Sequence, residues 1–567
     1  MASSKIDLKS KKCENTIALS EKYPTSEMEK SNFGSEFTTT EFGSKTRSGG
    51  SFKKELDPKT DTKTTSKTNS KTNSVEIEDI KIRPDQEKHF LRVCDILAHN
   101  RCYVDTSPMG SGKTIMIMAL AKKYNYDLIV IGPKTTASVW YAKAEKYNVN
   151  IIQFITYQGL RSVTDQQPKH GLFKRVDTIT ETGKHKVNFV LTQEALDLFE
   201  SGVLLVFDEI HNIKNVSHQF KACAALTQGM LSTAGKSRYA LLSGTPFDKE
   251  ENAIQLLRLT GYIKQAQLYR QDKKNGSIEL KGAQDLLSVC QYLDPKATQF
   301  VLDSMRPSAK NIKRFCFLLY IHVVKPQIMS SMPPVTIDEV KDVKNGFYNM
   351  TAEDEKALAR AVQNLAEAVG YNEKNEVTEN KFTNTNTILM EIEKAKVGIF
   401  ARLAEEHLQL HKLGKVILEL GFTDSIRLTS ELLKKYNPLI LTGAVTSDIK
   451  RRDIIDAFQT SDENRLLICN IRVGSVGISL HDEQGDRPRL MLISPTYSLI
   501  DVMQTVDRIY RIGLMSKATI RVVYSKTCAR ELNIRRALSR KGEVVKKIQS
   551  DESKMINPAD YESYYEE

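Results

Sequence analysis

The sequence predicts an α/β protein with two parallel-sheet lobes in tandem, a mainly helical insertion between them and a disordered amino-terminal tail. Three observations carry this expectation. Short apolar runs alternate with helix-like spacing over residues 76–263 and again over 395–548, as βα units require. Helical patterns dominate the stretch between, 264–394, with Ala352 to Val369 the clearest, broken by a polar Asn/Thr/Lys segment at Asn372 to Asn386. The first 75 residues are rich in Ser, Thr, Lys and Gly and end in a tandem Ser-Lys-Thr-Asn repeat, too polar to offset the entropy of ordering.

The first series of candidate strands is Asp127 to Gly132, Asn150 to Ile155, Val203 to Phe207 and Tyr239 to Leu242. The second is Lys415 to Leu420, Pro438 to Leu441, Arg465 to Cys469, Leu490 to Ile493 and Thr519 to Tyr524. Near-continuous apolar runs of this length belong to strands covered on both faces. The acidic segment 549–567 is expected to fray.

Charge narrows the partners without fixing one. A net charge of +12 suits an anionic partner such as nucleic acid, although a solvated basic surface gives the same value. The eight cysteines are scattered with no CxxC pair or zinc spacing, which fits reduced thiols inside a cell. No apolar run approaches the roughly 20 residues that span a bilayer, and the amino terminus is polar from Lys5, so an intracellular chain with no membrane partner is expected.

Two segments carry chemistry. Ser107-Pro-Met109-Gly110-Ser111-Gly112-Lys113-Thr114 follows an apolar strand ending at Val104 and precedes helix-like spacing, the context of a phosphate loop. Glycines let backbone N–H groups close on phosphate oxygens at a helix N-terminus. Lys113 is expected at the β- and γ-phosphates of ATP, and the Thr114 hydroxyl on Mg²⁺. Ser107 departs from the general pattern, which has glycine there. Asp208-Glu209 ends the apolar run Val203 to Phe207, at the sheet edge where ligands bind. Asp208 is expected to hold Mg²⁺ through water and Glu209 to polarise the attacking water. His211 suits either a relay of nucleotide state or a turn cap.

With these in place, the chain resembles the superfamily-two helicases, and among them the Swi/Snf-like ATPases, whose second motif reads DEGH or DEAH with a tail similar to Asn212-Ile-Lys-Asn215. Ile82-Arg-Pro-Asp-Gln86 looks like the upstream element in which the glutamine reads adenine. Leu128 to Pro133 with Val139-Trp140 looks like motif Ia, Ile155-Thr156-Tyr157 like motif Ib, and Leu241-Leu-Ser243-Gly244-Thr245-Pro246 like motif III. Gly443 with Arg451, Arg452 and Phe458, then Val473 to Leu480, then Gln504 to Gly513, resemble the second-lobe motifs in order. The likeness spans Ile82 to Gly513. Leu514 stands where the family prefers glutamine, and Asp208-Glu-Ile-His211 is an unusual variant.

The resemblance implies two RecA-like lobes: an ATP-binding lobe at 76–263 and a helicase carboxyl-terminal lobe at 395–548. It implies an ATP-dependent nucleic-acid translocase or helicase, with double-stranded DNA favoured over RNA as partner. A lean chain of this kind suits a large DNA virus as well as a cellular remodeller. Arg508 and Arg511 become the candidates for stabilising charge on the transferring phosphate. Gln86, Gly477 and Gln504 join the phosphate loop as nucleotide contacts. Lys134, Thr135, Thr156, Ser243, Gly244, Thr245 and Gly474 are the implied nucleic-acid contacts. Trp140 is read as a core residue.

Overall fold

The computed structural model describes residues 76–566 apart from 78–79, 162–169, 180–182, 184, 273, 275, 335–336, 369–380, 475–477 and 550–556. The tail expected over 1–75, most of the polar Asn372 to Asn386 stretch and Gly477 therefore lie outside the described residues.

In the first lobe the strands of the main sheet and of one hairpin are β1 (Cys102–Asp105), β2 (Asp127–Gly132), β3 (Ile151–Thr156), β4 (Phe173–Ile179), β5 (His185–Leu191), β6 (Val203–Asp208), β7 (Arg238–Leu242) and β8 (Met329–Ser330). Six of them form one parallel sheet in the order β8-β1-β7-β6-β2-β3. Alternation along single strands explains why the runs are apolar throughout. On β2 and β6, Ile129, Ile131, Leu205 and Phe207 enter one core, while Leu128, Val130, Leu204 and Val206 enter the core on the other face. Around this sheet lie α1 (Pro84–His99), α2 (Lys113–Tyr124), α3 (Ala137–Lys146) and α4 (His218–Ser232). Strands β4 and β5 pair only with each other, as an antiparallel hairpin between β3 and β6.

The second lobe holds β9 (Lys341–Tyr348), β10 (Lys415–Leu420), β11 (Leu439–Leu441), β12 (Leu466–Asn470), β13 (Arg489–Ile493), β14 (Ala518–Ser525) and β15 (Glu562–Tyr565). They form a parallel sheet in the order β11-β12-β10-β13-β14-β9-β15. Its two faces divide in the same way, with Ile417, Leu467 and Met491 on one side and Val416, Leu466 and Leu490 on the other.

The helices expected between the lobes are present, but the stretch is not a separate layer. Leu286, Phe315, Tyr320 and Val323 pack into the first-lobe core, β8 extends the first sheet, and β9 lies inside the second. The fraying expected over 549–567 is corrected for its last part. Residues 557–566 are ordered, because Tyr565 stacks on Phe347 at 4.8 Å between ring centroids and Glu566 pairs with Arg402 at 2.5 Å. Finally, α5 (Leu499–Val506) and α6 (Ala529–Ile548) complete the second lobe. Leu538 and Val545 of α6 pack with Leu499, while Ile548 enters the first-lobe core, so one helix touches both lobes.

Candidate nucleotide cleft

The phosphate loop leaves β1 and turns into α2 through two glycines with positive φ, Gly110 at 73° and Gly112 at 105°. At Gly112 this is required twice over. The left-handed backbone disfavours a side chain, and a Cβ there would lie 2.6 Å from the Gln86 amide nitrogen. The Lys113 ammonium donates to the carbonyls of Ser107 and Pro108 at 2.9 and 3.0 Å, drawn back over the loop it follows. Ser111 closes the same turn, its hydroxyl donating to the Pro108 carbonyl at 2.7 Å.

Gln86, expected at adenine, lies behind this loop. Its amide donates to the Ser111 carbonyl at 2.6 Å and its oxygen accepts the Arg83 backbone N–H at 3.2 Å, and the side chain is buried. Asp85, Lys88 and His89 of the same helix line the cleft instead. The bond to Ser111 holds Gln86 against the start of α2, while Asp85 and Lys88 on either side of it along the helix are exposed.

Asp208 and Glu209 stand at the end of β6. Asp208 is buried, and its carboxylate accepts the Trp140 indole N–H at 2.9 Å, while its carbonyl accepts the Tyr157 hydroxyl at 2.8 Å. Burial, followed by the charge of Glu209, raises the Asp208 pKa, and hydrogen bonds from Trp140 and Thr136 oppose the rise. Trp140 is thus core, as expected, and also the support of the acidic residue; only its position after motif Ia hinted at this second role. Glu209 has φ 55°, a left-handed backbone that costs a side-chain-bearing residue ~1 kcal/mol and turns its carboxylate away from the strand axis. Burial would raise its pKa as well, yet the hydrogen bond and charge of His211 hold it below the ordinary value.

His211 joins three motifs. Its Nδ1 lies 3.2 Å from Glu209 Oε2 and 3.1 Å from the Ser243 hydroxyl, and its Nε2 lies 3.4 Å from the Gln504 amide nitrogen of the second lobe. A ring protonated at Nδ1 can donate to Glu209 or to Ser243, and its unprotonated Nε2 accepts from Gln504.

Both lobes line one cleft of about 880 Å³, with Met109, Gly110, Glu209 and Thr245 from the first and Gln504, Asp507 and Arg511 from the second. The two arginines differ. Arg511 faces the cleft and donates to the Ile478 carbonyl at 3.0 Å. Arg508 is 1% exposed and donates to the carbonyls of Gln504 and Ile478. Burial pulls its pKa down to about 10, with Glu419 acting against the fall. Glu419, on β10, was not anticipated: it is fully buried, neither carboxylate oxygen has a hydrogen-bond partner, and burial pushes its pKa up to about 8 with Arg508 as the opposing charge. An acidic residue inside the apolar run Lys415 to Leu420 was the available signal.

The residues implied for nucleic acid lie in several places. Ser243 is buried against His211, and Gly244 and Thr245 line the nucleotide cleft, because β7 ends beside the strand that carries the phosphate loop. Lys134 is exposed and forms an ion pair with Asp448 of the second lobe at 3.7 Å. The Thr135 hydroxyl is buried with no hydrogen-bond partner. Thr156 caps the short helix Tyr157–Leu160, accepting the Gly159 N–H at 2.9 Å. Gly474 ends the short helix Ile471–Gly474.

No family model matches the chain. It is 24% identical over 499 residues to a protein of Acanthamoeba polyphaga mimivirus provisionally named an ATP-dependent RNA helicase, covering 81% of this chain and 82% of that one. It is also similar to two solved structures of the Sulfolobus solfataricus SWI2/SNF2 ATPase core, each at 18% identity. One is in complex with double-stranded DNA, covering 80% of this chain and 90% of that one at a TM-score of 0.28. The other covers 85% and 93% at 0.29. The motifs thus stand in order along two parallel-sheet lobes that share one cleft, in a chain similar in sequence to the mimivirus protein over most of the length of both.

Proposed function

We propose that the chain hydrolyses ATP to ADP and phosphate in the cleft between its lobes, that nucleic acid stimulates the reaction, and that lobe closure moves the protein along DNA or remodels it. The observation that carries this reading is the composite lining, in which Glu209 and the phosphate loop face Arg511 of the other lobe. Lys113, released from its two carbonyls, would take the phosphates, and the N-terminus of α2 would add favourable partial charge. Thr114 and Asp208 would hold Mg²⁺, which supplies charge neutralisation on the phosphates. The fit rests on Asp208: a carboxylate raised in pKa by burial and then by the adjacent Glu209 is a site that a cation stabilises. Glu209, kept ionised by His211, would accept the proton of the attacking water, and Arg511 would stabilise charge on the transferring phosphoryl group.

Single- and double-stranded DNA and RNA, each added to an ATPase assay with strand displacement measured in parallel, test this reading. Stimulation by double-stranded DNA, abolished in Lys113→Ala, is the expected result; equal rates with and without every polymer would overturn it. RNA is the second reading, favoured by the name of the mimivirus relative, and preferential stimulation by RNA would select it. No described helix is long and apolar enough to cross a membrane.

A further inference from the structure

The departure of the phosphate loop from the general pattern sits where the chain crosses between lobes. Ser107, at the position of the usual glycine, is fully buried. Its hydroxyl accepts the backbone N–H of Met332 at 2.8 Å. Its carbonyl accepts the Lys113 ammonium, and its own N–H donates to Asp105 Oδ1 at 2.9 Å. Met332 follows β8, the last strand of the first lobe before the short crossing to β9 of the second.

A second set of bonds closes a ring around this joint. The Thr106 N–H donates to the Ser330 carbonyl at 3.1 Å. The Ser330 hydroxyl meets His89 Nδ1 at 2.8 Å, and His89 Nε2 meets Asp105 Oδ2 at 3.2 Å. All three side chains are buried, and both ring nitrogens of His89 are engaged, so the imidazole acts as a strut between β1 and β8. The crossing is thereby fastened to the loop that would hold the triphosphate, on the strand pair Val104↔Met329 and Asp105↔Ser330.

We propose that Ser107 is a positioning residue that couples the phosphate loop to the interlobe crossing through its hydrogen bond to Met332, so that nucleotide held by the loop biases lobe closure. The inference rests on the proposed ATPase reading. The physical step is local. A triphosphate that draws the Lys113 ammonium away removes a positive charge from the Ser107 and Pro108 carbonyls, and the peptide between them is free to tilt. The tilt moves the Ser107 hydroxyl, and with it the Met332 amide at the start of the crossing. A glycine would hold phosphate as well and transmit nothing, because it has no hydroxyl to carry the displacement. Two sites gain a coupling only when a shared element responds to both; Met332 follows the last strand of the first sheet, and before β9 the Val340 carbonyl accepts the Ala518 N–H of the second sheet.

The test uses the full chain and four proteins: wild type, Ser107→Ala, Ser330→Ala and the double variant. For each, the nucleic-acid stimulation of kcat, the Kd of a fluorescent ATP analogue and the melting temperature are measured. In Ser107→Ala the stimulation is expected to fall about tenfold while Kd changes less than about threefold, the scale of ordinary intersite coupling. Ser330→Ala, which leaves every residue of the loop in place, is expected to lower stimulation too, and the double variant to lose less than the product of the singles. Wild-type stimulation retained in both single variants overturns the coupling, as does a loss shared in equal proportion by Kd and kcat. If Ser107→Ala melts below the assay temperature, Ser330→Ala decides alone. A wild-type chain that no nucleic acid stimulates would instead remove the ATPase reading on which the inference stands.

Discussion

The Gln504 amide lies 3.4 Å from His211 Nε2, and through that imidazole a residue of the second lobe reaches both Glu209 and Ser243 of the first. Glu209, the proposed water-polarising carboxylate, is thus connected to the opposite side of the cleft. Lobe separation breaks this contact before it disturbs either sheet, because Gln504 is on α5 and His211 is on the turn after β6. His211, and through it the Glu209 carboxylate, therefore has contacts from both lobes.

His211→Ala and Gln504→Ala should therefore each lower kcat by about tenfold, the weight of roughly one hydrogen bond to a charged group, with ATP affinity nearly unchanged. Because they act on one chain of bonds, the double variant should be little worse than either alone. Steady-state kinetics on the three proteins decide; fully multiplicative losses would show that the two residues act separately.

Trp140→Phe keeps most of the buried ring and removes only the N–H that Asp208 accepts. That bond opposes the rise in the Asp208 pKa, so its loss raises the pKa further. Asp208 must be ionised to hold a cation, so the acid limb of the kcat profile should move to higher pH and the Mg²⁺ concentration for half-maximal rate should rise. A hydrogen bond to a charged group is worth about 1.5–3 kcal/mol, which predicts a rise of tenfold or more in the Mg²⁺ requirement. A Mg²⁺ titration that overlays the wild type would remove Trp140 from the site.

Much of this was legible in the chain. The nine apolar runs became strands because parallel strands covered on both faces leave no room for polar alternation, and the phosphate loop and Asp208-Glu209 were readable because each sits at a strand end. Five features were not. Strand β9 reads Lys-Asp-Val-Lys-Asn-Gly-Phe-Tyr, polar enough to pass for a loop, yet it lies between β14 and β15 where its partners supply the pairing. The hairpin of β4 and β5 leaves Ile179 and Val190 exposed, so no buried-strand signature marks it. The first-lobe strand β8 is two residues long, below any periodicity. Glu419 and the Ser107 to Met332 bond depend on residues far apart in sequence meeting in the fold, which spacing does not encode.

The two arginines of the last motif should separate by experiment. Arg511 lines the cleft, so Arg511→Ala should fold normally and lose roughly 10³-fold in kcat, as removal of a transition-state arginine does. Arg508 is buried and donates to the Gln504 and Ile478 carbonyls, so Arg508→Ala should destabilise the second lobe by about 1–3 kcal/mol, the cost of leaving buried acceptors without their donor. Urea denaturation alongside kinetics distinguishes the outcomes. Equal stability of the two variants would contradict the division of roles.

Glu419 makes the stability of the second lobe depend on pH in an unusual direction. Its pKa is raised from the ordinary 4.5 to about 8 in the folded chain, so between those values the folded state holds a proton that the unfolded state has released. Stability then falls as pH rises through this window, because the slope follows protons bound unfolded minus folded. Glu419→Gln keeps the shape of the neutral acid and cannot ionise. Below about pH 5 the two proteins should be nearly equally stable, and by pH 9 the variant should be ahead by a few kcal/mol, the order expected from such a shift. The buried charge of Arg508 limits the gain, since at high pH the carboxylate compensates it and glutamine does not. Parallel unfolding curves for the two proteins from pH 5 to pH 9 would mean that the carboxyl group does not titrate in that window, and that Arg508 holds it ionised in the folded lobe.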